Sequence, residues 1–266
     1  MALTITFMTA NYVARETGWA MSDWGHGDRT TQEAFAPIAT YAEKLDAVLA
    51  DARALGFDTI DLWGAHLHPD WATDAHVEAA REALARHGLS VATYATWLAP
   101  ANVERACSVA RALGTNLIGA GFSGEPGELA PALAEHGVRL AIENHPEETT
   151  PAELLAKLAA ANEAGPGLFG TTVDTGWWGT HGVDAARAIE ELGDHVLHVH
   201  LKDVRAVGLP HETCRWGEGV VPIEECVRTL RRIGYEGAIA VEHEPETFDP
   251  SDDVGAMRAE LAGWLT

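Results

Sequence analysis

Residues 134–145 read AEHGVRLAIENH. The first three close an Ala/Leu/Glu-rich helical segment, Gly137 follows, and a short apolar run, Leu140-Ala141-Ile142, ends on Glu143-Asn144-His145. Glycine just past a helix end takes the left-handed backbone that closes the helix, so Gly137 marks a helix-to-strand junction. The same unit recurs at Gly56 (RALGFDTIDLW), Gly88 (ARHGLSVATYA), Gly114 (RALGTNLIGAG), Gly165 (NEAGPGLFGTTVD), Gly193 (EELGDHVLHVH) and Gly234 (RRIGYEGAIAVE). Adding a first strand at 3–8 gives eight strands, each followed by a helical segment, the last at about 252–265. Strands alternating with helices imply a parallel sheet. Eight such units in 266 residues predict an α/β chain folded as one closed (β/α)8 TIM barrel domain over 1–266. An open doubly wound sheet is the runner-up; no GxGxxG follows the first strand.

Composition narrows the function. Hydrophobic residues make up 47%, enough for a sizeable core, and the net charge is −22. A nucleic-acid binder needs a basic footprint, so no nucleic-acid partner is expected. The three cysteines, Cys107, Cys214 and Cys226, form no CxxC pair, and a reducing, cytoplasmic setting is the default. No signal peptide or membrane span is read from the sequence.

In such barrels the chemistry lies at the carboxyl ends of the strands. The fifth to eighth strands end in Glu143, Asp174, His200 and Glu242. A carboxylate at the mouth of an apolar core needs a compensating partner. Three carboxylates and an imidazole suit one divalent cation, Mn²⁺ foremost, with Mg²⁺, Co²⁺ or Zn²⁺ as alternatives. Glu143 and His145 share strand parity, as do His198, His200 and Lys202.

The set LAIENH, VDTG, HVHLKD and IAVEH, in that order on strands five to eight, resembles the xylose isomerase-like, or sugar isomerase/epimerase, barrel superfamily. The resemblance implies that Glu143, Asp174, His200 and Glu242 hold one divalent metal and that Glu143 and Glu242 flank the substrate as acid and base. Many members carry histidine three residues after the sixth-strand aspartate; Trp177 stands there instead. That counts against a second or third metal and against the abasic-site endonuclease branch. The GWAMSDWGHGD loop, DLWGAHLHPDWAT and ENHPE are similar to the large subunits of bacterial C-glycoside deglycosidases. That likeness implies His145 as base, a 3-oxo-glycoside substrate and a small second subunit.

The chemistry expected is proton abstraction beside a carbonyl, with the metal stabilising an enediolate. The substrate expected is a small keto sugar or glycoside. Isomerisation or epimerisation leads; release of an aglycone, or of water from an inosose, is the alternative. Lys202 is a candidate for stabilising developing negative charge, or else a salt-bridge partner of Asp203 or another carboxylate. His66, Trp63, Trp97, Trp177 and Trp216 are candidate substrate-binding residues, since indole faces stack on sugar C–H faces or flat aglycones. Of His66 and His68 in WGAHLHP, His66 is preferred. The long segment after the first strand is expected to be a lid or binding surface. The chain is expected to act as a homo-oligomer or with a small second subunit.

Overall fold

A computed structural model describes residues 3–266. Its eight barrel strands are β1 (Thr4–Met8), β2 (Thr59–Trp63), β3 (Ser90–Ala95), β4 (Leu117–Ala120), β5 (Arg139–Glu143), β6 (Phe169–Asp174), β7 (Val196–Leu201) and β8 (Ala238–Val241). All neighbours pair in parallel, and β8 returns to β1 through Thr4↔Ala238 to Phe7↔Val241. The sheet is therefore closed, which excludes the open doubly wound alternative.

Helices α2 (Ile38–Ala54), α3 (Asp74–His87), α4 (Val103–Ala112), α5 (Pro126–His136), α6 (Pro151–Ala164), α8 (Ala185–Leu192), α9 (Ile223–Arg232) and α10 (Ser251–Leu265) ring the barrel. Their apolar stripes pack on the outward residues of the strands: Leu45, Leu49, Leu133, Leu158 and Ile189 are all fully or almost fully buried. The barrel interior is unusual in being polar. Thr6, Asp61, Thr93, Thr172, His198 and His200 are each completely buried.

Six of the seven junction glycines take positive φ, from 49° at Gly193 to 88° at Gly56 and Gly114. Gly165 is the exception. Its φ is −149°, and Gly167 takes the left-handed turn instead, at φ 79°. Pro166 separates the two, and Leu168 lies so close that a Cβ at 165 would meet its Cδ1 at 2.7 Å. This junction is thus a longer turn rather than a simple helix cap.

The segment after β1 is built as structure. It forms two short 3-10 turns and α1 (Trp24–Phe35), capped by Asp23, whose Oδ1 accepts from the His26 amide at 2.9 Å. The segment after β7 carries a two-residue antiparallel ladder, Asp203–Val204 with Thr213–Cys214. Asp203 organises it by accepting from the amides of Val204, Gly217, Gly219 and Val221.

Two asparagines hold the strand ends at the site. Asn144 donates to the Asp174 carbonyl and accepts from the Asp174 amide, both at 2.9 Å. Asn11 donates to the Val241 carbonyl at 3.0 Å and accepts from the His243 amide at 2.7 Å, so it brackets Glu242. Each amide side chain does the work of a backbone rung where the strands splay. Asn144→Ala would leave the Asp174 N–H and C=O buried without partners. At about 1–3 kcal/mol for each such group, a loss of about 2–6 kcal/mol is expected, read as a lowered urea midpoint beside a control at the exposed Asn116, Asn116→Ala.

Candidate metal centre and active-site cavity

The ends of β5, β6, β7 and β8 bring Glu143, Asp174, His200 and Glu242 together. One ligand atom from each lies within 4.8 Å of the others. His200 Nδ1 is 2.9 Å from Glu143 Oε1 and 3.2 Å from Glu242 Oε2. Asp174 divides its oxygens: Oδ1 caps α7 (Thr175–Thr180) through the amides of Gly176 and Trp177, and Oδ2 faces the centre.

Lys202 stands at the wall of this group. Its Nζ lies 3.0 Å from Asp174 Oδ2, 3.3 Å from Glu242 Oε1 and 2.9 Å from Glu244 Oε2. Its partners are therefore these three carboxylates, while its neighbour Asp203 serves the loop behind. Gly176 makes room for the stem, since a Cβ there would meet Lys202 Cγ and Cδ at 2.8 Å.

Burial and charge oppose each other throughout. Burial would lower the His200 pKa, but Glu242 and Glu143 hold it well above its ordinary value. Burial would likewise lower Lys202, and Asp174, Glu242 and Glu244 hold it well above. Burial pushes the Asp174 carboxyl up to about 6 despite Lys202, and the Glu244 carboxyl up to about 7. Against the same burial, His200 and His145 keep Glu143 below the usual carboxylate range, and Lys202 and His200 do the same for Glu242. Protonated His200 and Lys202 thus supply the positive charge that these clustered acids require.

The two glutamates differ in surroundings. Glu143 Oε2 faces His145 Nε2 at 3.8 Å. The other His145 nitrogen, Nδ1, lies 3.2 Å from the Glu143 carbonyl, so Nδ1–H donates there and Nε2 is the nitrogen turned to the carboxylate. About a third of the His145 side chain is exposed (31%), whereas Glu242 and its partner Lys202 are buried.

Above the centre opens a cavity of about 810 Å³. Trp63, Trp97 and Trp177 line it, with Trp24, His211 and Phe248. Trp97 is half exposed and sits 6.1 Å, ring to ring, from His145. Gly121 permits this, because any Cβ there would penetrate the Trp97 ring. Trp177 stacks flat on His211 at 3.9 Å and 17°.

His66 and Trp216 lie elsewhere. His66 is buried, with Nδ1 3.0 Å from Thr9 Oγ1 and its ring 4.6 Å from Phe35; burial lowers its pKa to about 3. His68 takes the place on the cavity wall. Trp216 stacks on Trp264 at 5.9 Å and donates to the Leu201 carbonyl, behind the barrel mouth. Glu244 and Trp24 also line the cavity, and the Trp24 indole N–H reaches Glu244 Oε1 at 3.4 Å. The eighth-strand stretch VEHEPE displays Glu244, but nothing in it reveals the loop that crosses over it. Among the described residues, no helix is long and apolar enough to cross a membrane.

The model of a family described as the xylose isomerase-like TIM barrel matches residues 49–265. An uncharacterised protein of Methanocaldococcus jannaschii, MJ1311, is 28% identical over 123 residues, which cover 44% of this chain and 40% of that protein. The matched stretch thus spans less than half of that relative. Among solved structures, the probable 3-DHS dehydratase AsbF of Bacillus anthracis superposes with a TM-score of 0.70 at 15% identity, covering 98% of this chain and 99% of that one. The D-allulose 3-epimerase of Methylomonas sp. gives 0.68 at 18% identity over 100% and 98%. A xylose isomerase domain protein of Planctomyces limnophilus gives 0.69 at 19% identity over 81% and 91%. Identities this low bear on the fold alone. The family match covers most of the chain and the seven strand units from β2 to β8: this protein belongs to the xylose isomerase-like TIM barrel family.

Proposed function

We propose that the chain is a divalent-metal-dependent enzyme that moves a proton beside the carbonyl of a keto sugar or sugar derivative. The observation that carries this reading is the convergence of Glu143, Asp174, His200 and Glu242 within 4.8 Å. The donor set fits a cation of hard to borderline character, Mn²⁺ foremost. Glu242 Oε2, buried and without a hydrogen bond, is a further mark of fit. When bound, the ion supplies Lewis-acid polarisation of the substrate carbonyl.

The residues around it divide the proton work. Glu143, paired with the partly exposed His145, is placed to take the proton and pass it toward solvent, directly or through one water. Glu242 is held by buried Lys202, whose charge favours negative charge developing on a substrate oxygen. The Glu143 face therefore exchanges its proton with water and the Glu242 face retains its own. The related folds include proteins named as a D-allulose 3-epimerase and an L-ribulose 3-epimerase, in keeping with this chemistry.

A second outcome of the same chemistry is loss of a β-substituent, releasing an aglycone from a 3-oxo-C-glycoside or water from an inosose. The cavity favours the aglycone. At about 810 Å³ it lies toward the upper end of the range, about 300–1,000 Å³, of small-molecule sites. Trp97, Trp177 and Phe248 supply flat apolar walls. An abasic-site endonuclease fits poorly with a net charge of −22.

Elemental analysis should find one Mn²⁺-class ion per chain, and EDTA should abolish deuterium exchange from D₂O into ketoses or 3-oxo-glycosides. Metal-independent exchange, or none with any of these, would sink the reading. Glu143→Gln is expected to lower exchange by about 10²–10⁴-fold. The cation must displace the proton that His200 holds at raised pKa. Uptake should thus release protons, and affinity should climb with pH, measured by titration calorimetry in buffers of different ionisation enthalpy. Trp97→Ala should raise KM for an aryl glycoside at least about tenfold, the loss of roughly 1.4 kcal/mol of stacking, and leave simple ketoses little changed. Product mass separates the outcomes: unchanged for an epimerase, reduced by the aglycone or water for a lyase.

A further inference from the structure

His200 differs from the other three donors in having a second polar face. Its Nδ1 faces Glu143 and Glu242 at the centre, so its Nε2 points down into the barrel. There Nε2 makes no hydrogen bond. Its nearest carboxylate is Asp61, on β2, with Oδ2 at 4.0 Å.

Asp61 is completely buried, as is His198. Two donors fix Asp61 Oδ2: Thr6 Oγ1 at 2.9 Å and His198 Nε2 at 2.7 Å. The other carboxylate oxygen, Asp61 Oδ1, and His198 Nδ1 have no partner. The two imidazoles stand edge to face at 5.1 Å and 88°. A buried carboxylate is costly unless it serves donors; Thr6 and His198 supply two, and the unpartnered His200 Nε2 stands next to the same oxygen.

We infer that Asp61, held by His198 and Thr6, is a positioning residue for the metal ligand His200: it takes the Nε2 proton and so keeps Nδ1 as the unprotonated donor atom. This rests on the cation reading above. A neutral imidazole carries one proton. On Nδ1 it would block the cation; an anionic acceptor on the Nε2 side draws it away and makes Nδ1 more basic. The present 4.0 Å is about one ångström longer than a charge-assisted hydrogen bond. When the cation binds, the ring must tilt so that Nε2 comes within hydrogen-bond reach of Asp61 Oδ2. His198 acts one step further out, fixing the Asp61 carboxylate through the 2.7 Å contact.

The same atoms could instead hold a second cation, since Asp61, His198 and His200 each offer a donor atom within 4.8 Å of the others. The short Asp61–His198 contact opposes this, because a proton already occupies the space between Oδ2 and Nε2.

The test is Mn²⁺ titration of the full chain, with free Mn²⁺ read by electron paramagnetic resonance, and Co²⁺ absorption as a second signal. Wild type should bind one ion. Asp61→Asn, which keeps the shape, should bind one ion about 10–100-fold more weakly with an altered Co²⁺ band. His198→Gln, which keeps a donor toward Asp61, should weaken binding less, and it carries the test if the first variant does not fold. Unchanged Mn²⁺ affinity and Co²⁺ band in a folded variant, with only a lower metal-free Tm, would mean that the pair serves packing alone and would overturn the inference. Two ions in wild type with one lost in Asp61→Asn would overturn it in favour of a second site. No ion in wild type would bring down the cation reading and this inference together, whereas binding unaffected by either variant would bring down the inference alone.

Discussion

Carboxylates brought to one water-excluded point repel each other unless positive charge lies between them. This constraint organises the mouth of the barrel. Glu143, Asp174, Glu242 and Glu244 approach one another at the ends of β5, β6 and β8, and His200 and Lys202 stand among them. The resulting network is asymmetric. Glu143, His145, Glu242 and Lys202 all line the cavity, but His145 beside Glu143 is partly exposed, whereas Glu242 and Lys202 are buried. A cation that replaced the charge on His200 would leave this division in place.

The scaffold explains how so many acids are tolerated. Parallel strands end together on one face, so each contributes one inward residue to the same layer. Asn11 and Asn144 then continue the ladder past the last backbone rung and stop the strand ends from separating under repulsion. Beneath, the interior carries Thr6, Asp61 and His198 where aliphatic side chains would otherwise fill a barrel. Polar groups in the interior layer thus join the site above to the body of the protein.

The loops decide what can enter. Trp97 occupies space that Gly121 leaves free, Trp177 lies flat on His211, and Trp24 reaches Glu244 from α1. These contacts join residues far apart in the chain and make an apolar vestibule over a charged floor. Such a cavity suits a ligand with a polar ring at one end and an apolar or aromatic group at the other.

Much of this was legible before any coordinates. The helix–glycine–strand unit repeated because each strand must return to the same face of the sheet, and the ends of four successive strands placed Glu143, Asp174, His200 and Glu242 at one mouth of the barrel. The turn at Gly165 was misread because Pro166 changes the local geometry in a way that a glycine count does not register. Asp61 stood in plain view in IDLW, yet its partner His198 is 137 residues away and only barrel closure brings them to 2.7 Å. His66 and His68 are two residues apart, and only packing against Phe35 sends one inward and leaves the other on the cavity wall. The sequence by itself determined the fold and which strand ends carry the acids and the imidazole, because periodicity and strand ends are local properties. Tertiary structure alone decided the pairings of Lys202, Asp61 and the tryptophans, because those depend on which distant segments closure and loop packing place side by side.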